Sequence, residues 1–229
     1  MACSLFGKIP SKRDFVAVHA PRPFLTVWEN WLQAGIAASR EQLGKDWQTA
    51  YLSAPIWRFW LGRDIGGSEA VGALMASVDG VGRYFPLTVF AAAPDGMTID
   101  PPTIDAMDEW FASIESSMLA VLETTVPESP AELAEKLPAP VLRARAKPPA
   151  PPMHPAEGMA VWLAPGDSVA DIFLDLGQQD LDRTQAGRSY FWTLGGPHYR
   201  SQVMACDGLP EPFHFTGLLT GRFDAREVA

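Results

Sequence analysis

The sequence predicts a globular mix of helices and strands, with two central strands paired antiparallel, in one domain or one domain with a hinged C-terminal lobe. Three observations carry this reading. Phe24, Val27, Trp28, Trp31, Leu32, Gly35, Ile36 and Leu43 recur at spacings of three and four and form one apolar helical stripe. Residues 71–78 and 87–93 are apolar runs that read as buried strands, and the stretch between them is too short for a crossover helix, so they pair antiparallel. With 229 residues, 47% hydrophobic and 20% charged, the chain can bury one substantial core.

Taken in order, residues 2–6 read as a first strand. The polar loop Gly7-Lys8-Ile9-Pro10-Ser11-Lys12-Arg13-Asp14-Phe15 follows, and Pro21 and Pro23 lead into the striped helix, which Gly44 stops. Trp28 and Trp31 sit on the stripe and read as core rather than as a binding platform. Residues 47–52 are ambiguous, with a second short helix as one reading. Residues 56–61, Ile-Trp-Arg-Phe-Trp-Leu, read as a strand, and Arg58 inside so apolar a run must find a partner or reach solvent. Gly66-Gly67 marks a turn before the two central strands, and Pro94-Asp95-Gly96 a turn after them. Thr103 or Asp105 then caps a helix running to about Leu122, with Ile104, Met107, Phe111, Ile114, Met118, Val121 and Leu122 as its stripe. Residues 130–137 read as a short helix with proline at its first position.

From 138 to 155 seven of eighteen residues are proline. Such a segment is neither a central strand nor a helix interior, and reads as a linker or as an arm on the surface that no ladder can hold. Residues 159–163 resume a strand, and 167–176 read as a helix or a loop. Residues 189–194 and 201–206 read as strands joined by Gly195-Gly196-Pro197, and 212–219 as a closing helix. The organisation expected is a core over 1–137, a proline-rich linker or arm over 138–158, and strands and a helix over 159–229 that complete the same domain.

A net charge of −9 argues against nonspecific binding to nucleic acid or to an anionic membrane surface. Cys3 and Cys206 are too sparse for a disulfide framework or a zinc site and read as reduced, buried thiols. No basic segment followed by a long apolar run opens the chain, so no signal peptide is expected. No apolar stretch approaches the ~20 residues of a spanning helix. A soluble, cytoplasmic protein is the expectation. Gly7-Lys8 lacks the upstream glycine and the following Ser or Thr of a phosphate loop. There is no Gly-x-Ser-x-Gly elbow, no dinucleotide fingerprint and no metal spacing among His19, His154, His198 and His214. No catalytic, cofactor or metal residues are assigned.

Two polar clusters carry the remaining chemistry: Lys8, Arg13 and Asp14 after the first strand, and Arg58, Asp79 and Arg83 in and after later strands. Ser77-Val78-Asp79-Gly80-Val81-Gly82-Arg83-Tyr84-Phe85-Pro86 packs more constrained residue types into ten positions than any other stretch. If one sheet holds these strands, the clusters meet at one edge. Either Asp79 and Asp14 only accept hydrogen bonds from turn amides and from Arg58 or Arg83, or the same cluster fixes a surface that a partner recognises.

Four segments carry a family resemblance. They are Gly7-Lys8-Ile9-Pro10-Ser11 with Asp14-Phe15; Ala54-Pro55-Ile56-Trp57-Arg58-Phe59; Ser77-Val78-Asp79 with Val81-Gly82-Arg83-Tyr84-Phe85-Pro86-Leu87; and, more weakly, Tyr190-Phe191-Trp192-Thr193 with Gly208-Leu209-Pro210 and residues 215–221. The chain resembles the TagF (ImpM) family, accessory proteins of the bacterial type VI secretion system, strongly over about the first 125 residues and loosely beyond. It departs at Arg13, where many members have glycine. The resemblance implies an α/β fold, a mainly antiparallel sheet flanked by helices, longin- or profilin-like, in a single domain with a C-terminal extension, and a regulator, not an enzyme. It implies a post-translational repressor of secretion-system assembly that binds the forkhead-associated scaffold protein and is linked to the threonine kinase and phosphatase pathway. A structural subunit of the machine is the alternative, and a cell-wall hydrolase the third. It singles out Lys8, Asp14, Arg58, Asp79, Arg83 and Tyr84 as candidate partner-binding or motif residues.

Overall fold

Strand alternation divides the core into two halves, one on each side of a sheet. The structure, a computed structural model, describes residues 2–123, 129–145, 169–196 and 199–223. In chain order these form β1 (Ser4–Gly7), β2 (Val16–Val18), α1 (Arg22–Leu43), α2 (Trp47–Ser53), β3 (Trp57–Leu61), α3 (Arg63–Gly66), β4 (Ala70–Met75), β5 (Leu87–Ala92), β6 (Met97–Thr98), α4 (Asp108–Glu123), α5 (Pro130–Lys136), β7 (Arg143–Ala144), α6 (Val169–Gln185), β8 (Arg188–Thr193), β9 (Gln202–Asp207) and α7 (Phe215–Thr220). Among the described residues the main sheet has the order β2-β1-β5-β4-β3-β8-β9, with every pairing antiparallel. β6 and β7 form a separate short ribbon.

Because successive side chains point to opposite faces, Leu5, Trp60, Val71, Ala73 and Val89 meet Phe111, Ile114 and Met118 of α4 and Ala134 of α5 on one face. Phe6, Phe59, Leu61, Leu74 and Phe90 meet Phe24, Trp28, Trp31 and Leu32 of α1, with Tyr51 of α2 and Leu218 of α7, on the other. The result is a sheet between two helical layers. Buried indoles keep their N–H groups satisfied, as burial requires. Trp28 donates to the Thr88 hydroxyl, Trp31 to the Pro210 carbonyl, Trp57 to Leu218 and Trp60 to Ile99. Gly35 lets α7 dock: a Cβ there would lie 2.5 Å from the Phe215 ring.

The helix stripe holds from Phe24 to Ile36 except at Val27, which is exposed. Four expectations change. The strand expected over 71–78 ends at Met75, since the ladder to β5 stops there and only an isolated bridge joins Val78 to Tyr84. The helix expected from 103–105 begins at Asp108, because Met107 takes a positive φ of 49° and Asp105 accepts from the Met107 amide before the helix starts. Ile104 therefore lies off the stripe and is exposed. The start of the proline-rich segment is held by a ladder after all: prolines flank residues 141–147 rather than interrupt them, so Arg143 and Ala144 can pair with Thr98 and Met97. Arg143 also pairs with Asp100, and Arg145 with Glu69. The expected closing helix divides into a 3-10 turn at Pro212–His214 and α7. The expected strand at 159–163, and the proline-rich segment beyond 145, lie outside the described residues; of 167–176, residues from 169 on are helical.

Candidate functional site

The β1–β2 and β4–β5 connections leave the same end of the sheet because β1 and β4 both pair with β5. Gly7 allows their close approach. It takes a φ of +132°, and a Cβ would fall 2.0 Å from the Pro86 carbonyl oxygen. This brings Lys8 to Asp79 across 71 residues of sequence: Lys8 Nζ donates to Asp79 Oδ2 at 2.7 Å, with both side chains buried. Arg83 Nε donates to the same oxygen at 2.7 Å, and Asp79 Oδ1 accepts from the amides of Val81 at 3.1 Å and Arg83 at 2.9 Å. The carboxylate therefore organises its own loop and binds it to the neighbouring one. Burial pushes the Asp79 pKa upward, but Lys8, the Arg83 amide and guanidinium and the Val81 amide outweigh it, holding the carboxyl well below the usual carboxylate range.

Backbone contacts seal the two loops. Gly80 N donates to the Lys12 carbonyl, the Arg83 guanidinium to the Arg13 carbonyl, and Ser77 Oγ to the Lys8 carbonyl. Tyr51 reaches up from α2; its hydroxyl donates to the Ser77 carbonyl at 3.0 Å and accepts from the Ser77 amide at 3.1 Å. Burial pushes the Tyr51 pKa up, against the Ser77 hydrogen bond, so the phenol keeps its proton. Tyr84 stands beside this, edge-on to Trp47 and Tyr51, and its hydroxyl accepts from Gln48. Phe15 packs between Phe6 and Phe85, with Lys8 Nζ 5.1 Å from its ring centroid. The outer rim is exposed: Arg13, Phe15, Val81 and the Arg83 side chain.

Of the six residues singled out from sequence, Lys8, Asp79 and Arg83 meet, and Tyr84 supports them. Asp14 does not join; it is exposed on the lip of a shallow cleft with Phe15 and Val18. Arg58 lies elsewhere. One position before Phe59, it points to the opposite sheet face, where Nε and Nη2 clasp Glu115 at 2.6 and 3.1 Å and Nη1 reaches Asp108 at 3.1 Å. Sequence reasoning missed Tyr51 and Glu115 and gave Ser77 no role beyond opening the ten-residue stretch, since each acts through a neighbour distant in the chain.

The Asp79 geometry sets a pH dependence. Its folded pKa is depressed, so its contribution is present above the unfolded value of about 3.9 and is lost as pH falls toward the folded one. Asp79→Asn, which mimics the protonated state, should melt below wild type at neutral pH. The gap should close as pH drops below about 4. A gap that stays constant from pH 7 down to acid unfolding would show that charge is not what Asp79 contributes.

A helix-flanked antiparallel sheet that spends a buried ion pair on locking two surface loops belongs to the class of α/β domains with a preformed loop platform. Among the described residues, no group of acidic, histidine or cysteine side chains is placed to hold a metal ion, and no helix is long and apolar enough to cross a membrane. The chain belongs to the TagF family: the model for the TagF N-terminal domain, type VI secretion system-associated, matches residues 4–137. That match contains the whole platform. The crystal structure of PA0076 from Pseudomonas aeruginosa PAO1 is similar over 99% of this chain and 98% of that one, at 30% identity and a TM-score of 0.73. No curated protein matches.

Proposed function

We propose that this type VI secretion-associated protein is a cytoplasmic post-translational repressor of secretion-system assembly. It acts by binding the forkhead-associated scaffold protein through the β1–β2 and β4–β5 loops, within the reach of the threonine kinase and phosphatase pathway. The observation that supports this most is the platform itself. Asp79 is satisfied by two cations and two amides, which is more than a turn requires, and the lock leaves Arg13, Phe15, Val81 and Arg83 presented in a fixed arrangement. A rigid mixed apolar and cationic rim loses little entropy on binding.

The test uses substitutions on the rim that spare the lock. Arg13→Glu and Val81→Asp, expressed in a strain lacking the native protein, should keep the wild-type melting temperature. They should lose scaffold protein in pull-downs and release secretion. Free scaffold should leave with the wild-type protein; capture of the assembled machine instead would favour a subunit. Variants that still bind scaffold and repress fully would remove these loops from the partner surface.

A further inference from the structure

The two edges of the main sheet differ. β2 has three residues, His19 turns the chain away with a φ of 54°, and α5 packs against it. β9 has six, Gln-Val-Met-Ala-Cys-Asp, with no proline or lysine to discourage pairing. Val203 is 76% exposed and Ala205 and Asp207 are exposed too.

The ladder tells which β9 backbone groups point away from the sheet, with no partner among the described residues. Gly62 N donates to the Arg188 carbonyl, so residues 188, 190 and 192 bond toward β3 and 189, 191 and 193 toward β9. Their partners, Cys206, Met204 and Gln202, therefore bond inward, and Gly208 N donating to Gly187 fits the same phase. The outward N–H and C=O groups are those of Val203, Ala205 and Asp207.

We propose that β9 is a self-association edge, pairing antiparallel with β9 of a second copy about a two-fold axis at Met204. With one long edge open per chain among the described residues, only this isologous pairing closes; pairing with a different edge would propagate into filaments. The strand is self-complementary in that register. Val203 lies opposite the second copy's Ala205, which joins outward groups to outward groups and apolar to apolar. Asp207 lies opposite Ser201 of the second copy, away from its own twin, and its carboxylate already has Arg188 3.5 Å away within its own chain. Two molecules of net charge −9 thus meet at a locally neutral edge. Moving the axis to Ala205 would set Val203 against the second copy's Asp207, which disfavours that register.

Ala205→Pro tests this directly, because it removes an outward N–H and leaves the β8–β9 ladder its donors. Val203→Glu is the second variant, at a position outside the core. By sedimentation or light scattering the wild type should have twice the chain mass of 24.9 kDa at micromolar concentration. Both variants should run at the single-chain mass with unchanged circular dichroism. Met204→Cys in a Cys206→Ser background should form a disulfide-linked dimer on oxidation. Cα atoms in a non-hydrogen-bonded pair lie about 4.5 Å apart, within the ~4.4–6.8 Å a disulfide spans. A wild type that stays single-chain throughout, a dimer that survives both edge variants, or a dimer that Met204→Cys does not link would each overturn the proposal.

Discussion

Trp28→Ala should destabilise the protein by about 3–5 kcal/mol, a third or more of the roughly 5–15 kcal/mol that holds a domain folded. The indole is 1% exposed and packs against four rings, with centroids 5.4 Å from Phe24, 4.8 Å from Trp31, 4.5 Å from Phe59 and 6.3 Å from Phe191. Those rings come from α1, β3 and β8, so relaxation into the cavity would have to move three elements at once. The loss is compounded at Thr88. Its buried hydroxyl accepts from Trp28 Nε1 at 2.9 Å and would be left without that donor. For a chain of this size the melting temperature should fall by roughly 6–20 °C. Trp28→Phe separates the contributions: it keeps most of the apolar contact and forfeits the hydrogen bond, so about 1–3 kcal/mol of the effect should remain. Denaturant midpoints at unchanged slope are the measurement. A Trp28→Ala midpoint equal to wild type would mean that the α1 stripe does not face the sheet.

How much of this was legible in sequence depended on how local the cause is. The α1 stripe was, because a 3.6-residue period is written into one segment. So was the pairing of β4 with β5, which the short connection over residues 76–86 dictates. Asp79 and Arg83 were legible as a pair, being four apart on one turn. Lys8 was not tied to Asp79 in particular, because that contact depends on β5 lying between β1 and β4. Arg58 shows a different failure. Alternation sets Arg58 on the face of Trp60, away from Trp57, Phe59 and Leu61, but both faces are buried in residues 57–61, so nothing in the segment says which elements cover either one. The β9 edge was visible as a strand, but its place at the end of the sheet was not. Arm residues 143–144 form a ribbon because Met97 and Thr98 stand beside them, which composition does not record.

Removing Glu115 should be about as damaging as removing Trp28, while removing Asp108 should hardly register. Both acids touch Arg58, whose side chain is 2% exposed, but Glu115 is 23% exposed and Asp108 76%. Glu115 takes two guanidinium nitrogens in a fork, and the Arg58 guanidinium carbon lies 4.9 Å from the Phe111 ring centroid, so the cation has little access to water. Glu115→Ala leaves it buried with only a surface carboxylate nearby, a change expected to cost about 3–5 kcal/mol. Asp108→Ala deletes an ion pair whose acid is already solvated, worth about 0–1 kcal/mol. Salt sharpens the contrast: raising ionic strength should erase what little Asp108 contributes and leave the Glu115 effect standing, because screening acts on exposed charges. The double variant Arg58→Met/Glu115→Leu decides whether the pair stabilises or merely avoids a penalty. Replacing both charges with apolar side chains of similar volume removes the desolvation cost along with the attraction, so most of the loss in Glu115→Ala should be recovered. Equal destabilisation by Glu115→Ala and Asp108→Ala would show that water reaches Arg58 and that the strand tolerates its charge for that reason.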